Sequence, residues 1–105
     1  MTPWMPALAA AATFSAWPAL AQPAPDALLG RNLAATCANC HGTNGQARGE
    51  MRPLAGVPAA KIVAAVADFR SGALPATIMH QIAKGYSDEQ IRLVAAYFAA
   101  QPAAK

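Results

Sequence analysis

Five consecutive residues, Cys37-Ala38-Asn39-Cys40-His41, limit what this chain can fold into more than any other feature. On a helical turn residues three apart share a face, so Cys37 and Cys40 can reach neighbouring vinyl groups of one porphyrin and close two thioether bonds. His41 follows directly, where a neutral imidazole nitrogen can bind iron as the proximal ligand. The pattern predicts one haem c, attached through Cys37 and Cys40 and ligated by His41. Rival chemistries of a cysteine pair fit less well. A thioredoxin-type redox motif wants a preceding strand in a βαβ setting, and this chain has almost no alternating apolar stretch. A closed zinc site takes four ligands, and two Cys and two His are too few without carboxylates. A structural disulfide between Cys37 and Cys40 is the remaining alternative.

The chain has room for one domain beside a leader. Residues 6–20 form an alanine-rich apolar run ending in Ala19-Leu20-Ala21, the small-x-small pattern of a secretory cleavage site. This predicts a signal peptide over 1–21 and a mature domain over 22–105, although no Lys or Arg precedes the run. Pro3, Pro6 and Pro18 keep the uninterrupted stretch shorter than the roughly 20 residues of a membrane span, so no stable span is expected. Every charged residue follows the leader, and the net charge is +3. The cations are scattered, with none of the runs that mark a nucleic-acid surface. A modest positive field suits encounter with an acidic redox partner.

Along the domain, Asp26 can cap a first helix on which Leu29, Leu33 and Cys37 recur at helical spacing. Gly30 on that helix suggests close approach by another. Residues 42–56 are punctuated by glycines and read as a loop. Pro53 and Leu54 are its candidate cofactor contacts: the Pro53 carbonyl to orient His41, the Leu54 side chain to pack on the porphyrin. Pro58 can open a second helix with Ile62, Val66 and Phe69 on one face, ending at Ser71-Gly72. A third helical segment runs from Pro75 to a C-terminal glycine at Gly85. Met79 on this segment is the candidate sixth ligand. Met51 follows the motif too closely to leave the His41 side, and His80, adjacent on the helix, points about 100° away from Met79. Ser87 with Gln90 predicts a capping box, and Ile91, Val94, Ala95 and Phe98 form the apolar face of a last helix ending before Pro102. That face is the expected partner of Gly30 and Leu33.

Helix, Cys37-Ala38-Asn39-Cys40-His41-Gly42, loop, helix, Met79 and a capped terminal helix together resemble a class I c-type cytochrome. The resemblance implies an all-α fold, a small cytochrome c fold of about four helices around one covalently attached haem c, with His41 and Met79 as iron ligands. The strings Phe69-Arg70-Ser71-Gly72, Thr77-Ile78-Met79, Ile82-Ala83-Lys84-Gly85-Tyr86-Ser87 and Ala96-Tyr97-Phe98 are similar to the cytochrome subunit of flavocytochrome c sulfide dehydrogenase. That likeness implies a periplasmic electron-transfer subunit, no enzyme itself, served by a flavoprotein (FAD) partner and handing electrons to a redox protein acceptor. A single Cys-x-x-Cys-His departs from the two-haem version of that family. A freestanding carrier to a terminal oxidase or other acceptor shares every haem residue, and a haem sensor or peroxidase-like protein would need an open sixth position.

Overall fold

The helix that carries the motif does not end before it. In a computed structural model of the chain, which describes residues 1–18 and 25–104, α1 (Pro25–Ala34) runs into a 3₁₀ turn (Ala35–Cys37) and then the single turn α2 (Ala38–His41). Ala34, Cys37 and Ala38 at the junctions all keep right-handed helical dihedrals, so residues 25–41 form one continuous helical stretch. Then come α3 (Ala59–Ser71), α4 (Met79–Lys84) and α5 (Asp88–Ala99). The fold is all-α with four main helical segments and, among the described residues, no strand. Residues 1–18 carry no helix or strand and lie exposed; the cleavage position expected before Gln22 falls outside the described residues.

The ends of these helices follow local rules, with small displacements. Ser87 accepts from the Gln90 backbone while the Gln90 side chain accepts from the Ser87 backbone, so the capping box of α5 is complete. Gly72 closes α3 in the left-handed conformation that a glycine adopts without steric penalty. Other boundaries correct the sequence reading by a residue or more. α1 begins at Pro25, a residue type favoured at the first helical position, so Asp26 lies inside the first turn. Pro58 is the N-cap of α3 rather than its first residue: its ψ of 135° is extended, and its carbonyl accepts from Lys61 and Ile62. α4 starts only at Met79, because the β-branched pair Thr77-Ile78 stays outside the helix, with Ile78 at φ −126°. Gly85 ends it with an ordinary φ of −79° and not in the left-handed region.

α5 is the spine. It packs along α1 on one side and α3 on the other, and α3 in turn carries α4. The α1 face that meets α5 is built from small residues: Gly30 and Ala34 are buried, while Leu29 is exposed and Leu33 half-buried. The stripe expected through Leu29 is therefore rotated, because a close crossing selects the narrowest face. A Cβ on Gly30 would lie 2.7 Å from the Leu93 carbonyl oxygen. Replacing Gly30 by valine is expected to lower the stability of the haem-loaded protein by about 1–3 kcal/mol through overpacking. A thermal melt checks it, and an unchanged or raised midpoint would show that the crossing tolerates more bulk.

The core divides into two clusters. Ala34, Ile62, Val94, Ala95 and Phe98 form one, and Val66, Ala83 and Ile91 the other. Phe98 is the only large side chain fully buried among the described residues. So small a core is what a domain of this size shows when something other than side chains completes it.

Candidate functional site

Between the two clusters lies a cavity of ≈ 780 Å³ whose walls are mostly apolar and include Ile62, Phe98, Val66 and Ile91 from both. Its volume falls in the roughly 300–1,000 Å³ range of sites that take a small molecule or cofactor. Cys37, Cys40 and His41 line it from the motif, Pro53 and Leu54 from the loop, and Met79 from the start of α4. All six candidate site residues thus meet at one cavity. His80 is not on its wall: its Nε2 sits 2.6 Å from the Leu74 carbonyl and its ring stands edge-on to Phe69. Met51 does line the cavity, 45% exposed, one residue before Arg52.

The helical run delivers the motif to the wall. Cys37 closes the 3₁₀ turn and packs against the first core cluster, and burial pushes its thiol up from the ordinary cysteine range, with a hydrogen bond from Thr36 partly opposing. Thr36 also shares a hydrogen bond of 2.6 Å with the Tyr86 hydroxyl, tying the motif to the turn between α4 and α5. Cys40, one turn on, is exposed, and the two sulfurs are not joined to each other. Among the described residues no three His, Cys, Asp or Glu side chains gather as a metal site.

His41 Nδ1 lies 2.6 Å from the Arg52 carbonyl oxygen. A carbonyl only accepts, so Nδ1 carries the proton and Nε2 keeps its lone pair. This corrects the expectation that the Pro53 carbonyl would orient His41; the acceptor is one residue earlier. A residue preceding proline favours an extended backbone, and Arg52 sits there, lining the cavity together with Pro53 and Leu54. The X-Pro pattern was the available sequence signal for this contact.

The loop that carries Arg52 is anchored at several points. The Gly45 carbonyl accepts from Leu54 and Ala55, and the Gly56 amide donates to Phe98. Tyr97 donates its hydroxyl proton to the Asn44 side chain, and Gln46 donates to the Pro102 carbonyl. Gly45 sits at φ 76°, buried, where a Cβ would lie 2.6 Å from the Ala55 nitrogen and 2.9 Å from Phe98. Only glycine fits there, and the backbone carrying the Arg52 carbonyl is held against α5.

The residues present fit a flat apolar group bound through two thiols and one imidazole. Such a frame, all-helical and closed around a Cys-x-x-Cys-His-lined slot, defines a protein that holds haem covalently. The cytochrome c family model matches residues 27–101, and the chain belongs to the cytochrome c family. Its cofactor is haem c, and its class is electron transfer.

Individual relatives are similar over much of the chain. The cytochrome subunit of sulfide dehydrogenase of Chlorobaculum tepidum is 39% identical over 69 residues, 66% of this chain and 63% of that protein. Cytochrome c-554(548) of Halomonas halodenitrificans is 37% identical over 82 residues, 74% of this chain and 99% of that protein. The thiosulfate dehydrogenase electron acceptor of Stutzerimonas stutzeri is 44% identical over 77 residues, 70% of this chain and 36% of that protein. A solved structure of Acidithiobacillus ferrooxidans cytochrome c4 matches with a TM-score of 0.67 at 31% identity, covering 71% of this chain and 49% of its own. The chain therefore spans less than two thirds of the first and third of these relatives and about half of the structural one.

Proposed function

We propose that this protein is an exported one-haem electron carrier that receives electrons from a flavoprotein sulfide dehydrogenase and passes them to a redox protein acceptor. In this reading residues 1–21 are removed as a signal peptide, the mature domain begins at Gln22, and it works in the periplasm. The observation that carries the electron-transfer assignment is that Cys37, Cys40, His41 and Met79 all line one apolar cavity. Bound there, haem c supplies a one-electron iron couple. Cys37 and Cys40 would hold it through their sulfurs, and His41 Nε2 and the Met79 sulfur would supply its iron donors, a His/Met pair of the kind that raises the potential and leaves no iron position for substrate. Leu54 and the cluster residues exclude water from the slot, which favours the less charged reduced state. The protein is then no enzyme; sulfide oxidation belongs to the FAD-containing partner.

The partner is inferred from the sulfide dehydrogenase subunit's similarity to this chain. Among the described residues no helix is long and apolar enough to cross a membrane. A second reading, a freestanding carrier, is favoured by the match to cytochrome c-554(548), which extends over 99% of that protein. Gentle size fractionation of the native periplasm, followed by visible spectroscopy, separates the two. Haem and flavin bands are expected in one peak larger than the cytochrome, with the haem reduced on addition of sulfide. Haem in a small peak without flavin, and no sulfide-driven reduction after adding back the flavoprotein fraction, would replace the first reading by the second.

A further inference from the structure

Arg70 has no part in lining the cavity, yet its guanidinium is the most fully engaged side chain among the described residues. Its Nε donates to the Ala83 carbonyl at 2.8 Å, one terminal nitrogen donates to the Tyr86 carbonyl, and the other pairs with the Asp88 carboxylate. The Arg70 side chain is 25% exposed, whereas that of Asp88 is 95% exposed. The ion pair with so exposed a carboxylate contributes little. The weight falls on the two carbonyls.

Those carbonyls lie where the structure lacks other means of holding itself. α4 has six residues, too few to be stable as an isolated helix, and its last carbonyls have no partner within it. Its placement must come from outside. Ala83, 1% exposed and packed with Val66 and Ile91, is the point at which the helix enters the second core cluster. Ala83 lies four residues after Met79, one turn further along the same helical face. Arg70, at the end of α3, thus grips α4 directly below the residue it presents to the cavity. Its second carbonyl, that of Tyr86, fixes the turn whose hydroxyl-bearing ring bonds Thr36 beside Cys37.

We propose that Arg70 is a positioning residue for the sixth iron ligand: its two carbonyl contacts set where Met79 stands, and so how firmly the sixth position is closed. This rests on the reading of Met79 as that ligand. It gives the Phe69-Arg70-Ser71-Gly72 string, which no cavity contact explains for Arg70, a role joined in space to the Met79–Tyr86 string. The guanidinium offers these two carbonyls donors on separate nitrogens in a fixed planar fork, whereas the three donors of a lysine ammonium sit on one rotatable nitrogen.

The test uses the haem-loaded protein, in which imidazole competes with Met79 for ferric iron. Arg70→Lys and Arg70→Gln are each expected to bind imidazole about tenfold more tightly than the parent, the ratio that loss of about 1.4 kcal/mol gives, and to weaken the far-red thioether-to-iron absorption band. Asp88→Asn is expected to leave both unchanged. A lowered melting midpoint with parental imidazole affinity and an intact band in Arg70→Lys would reduce Arg70 to a general stabiliser and overturn the proposal. Should Arg70→Gln fail to accumulate, Arg70→Lys, which keeps the charge, decides alone. Met79→Ala is titrated beside them. If it binds imidazole no better than the parent, the ligand reading fails and the proposal with it; if it responds while Arg70→Lys does not, only the positioning role fails.

Discussion

Replacing both Cys37 and Cys40 by alanine is expected to leave a chain that carries no covalent haem and does not fold cooperatively. The argument rests on how little of the core side chains supply by themselves. The two clusters are separated by a cavity of ≈ 780 Å³. Without a group filling it, the apolar walls contributed by both clusters face water instead of a packed partner, and a whole domain is stable by only roughly 5–15 kcal/mol. Deleting both thiols at once also avoids the ambiguity of a single variant, in which the remaining thioether still tethers the ring. Haem staining of a denaturing gel should be negative, far-UV circular dichroism should show little helix, and heating should give no sharp transition. A cooperative melt in the haem-free double variant would show that the helices stand without the cofactor.

The same physical logic separates what could be read in the sequence from what could not. Features governed by short-range rules were legible: the three-residue cysteine spacing, the Ser87–Gln90 capping box, the Gly72 stop and the apolar face of α5 each depend on neighbours within a turn or two. Features governed by a distant partner were legible only in outline. Gly30 pointed to a close helix crossing, yet the face that crosses runs through Ala34 and not Leu29, because its rotation is chosen by the Leu93 backbone on α5. Within the loop, the acceptor for His41 is the Arg52 carbonyl and not that of Pro53, a one-residue shift for which the extended preference of a residue before proline was the only local signal. Arg70 left no sequence signal for its role. Two of its three acceptors are backbone carbonyls, which any residue can supply.

Met79→Ala is expected to give a haem-loaded protein whose reduction potential falls by on the order of 0.1 V or more, within the roughly 0.8 V range that axial ligands span. A thioether is a soft donor that favours reduced iron, and its loss admits water, which favours the oxidised state. The variant should also bind carbon monoxide when reduced, where the parent does not. Position, rather than methionine chemistry alone, distinguishes Met79 from its rivals. Met51 adjoins Arg52, whose carbonyl orients His41, so it belongs to the proximal loop. His80 has its Nε2 committed to the Leu74 carbonyl and stands off the cavity wall. Met51→Ala and His80→Ala should therefore keep the parental potential and stay inert to carbon monoxide. A potentiometric titration of the three variants side by side decides the assignment. If Met51→Ala shows the fall and Met79→Ala does not, the sixth ligand comes from the loop, and the short helix α4 is only a cover for the slot.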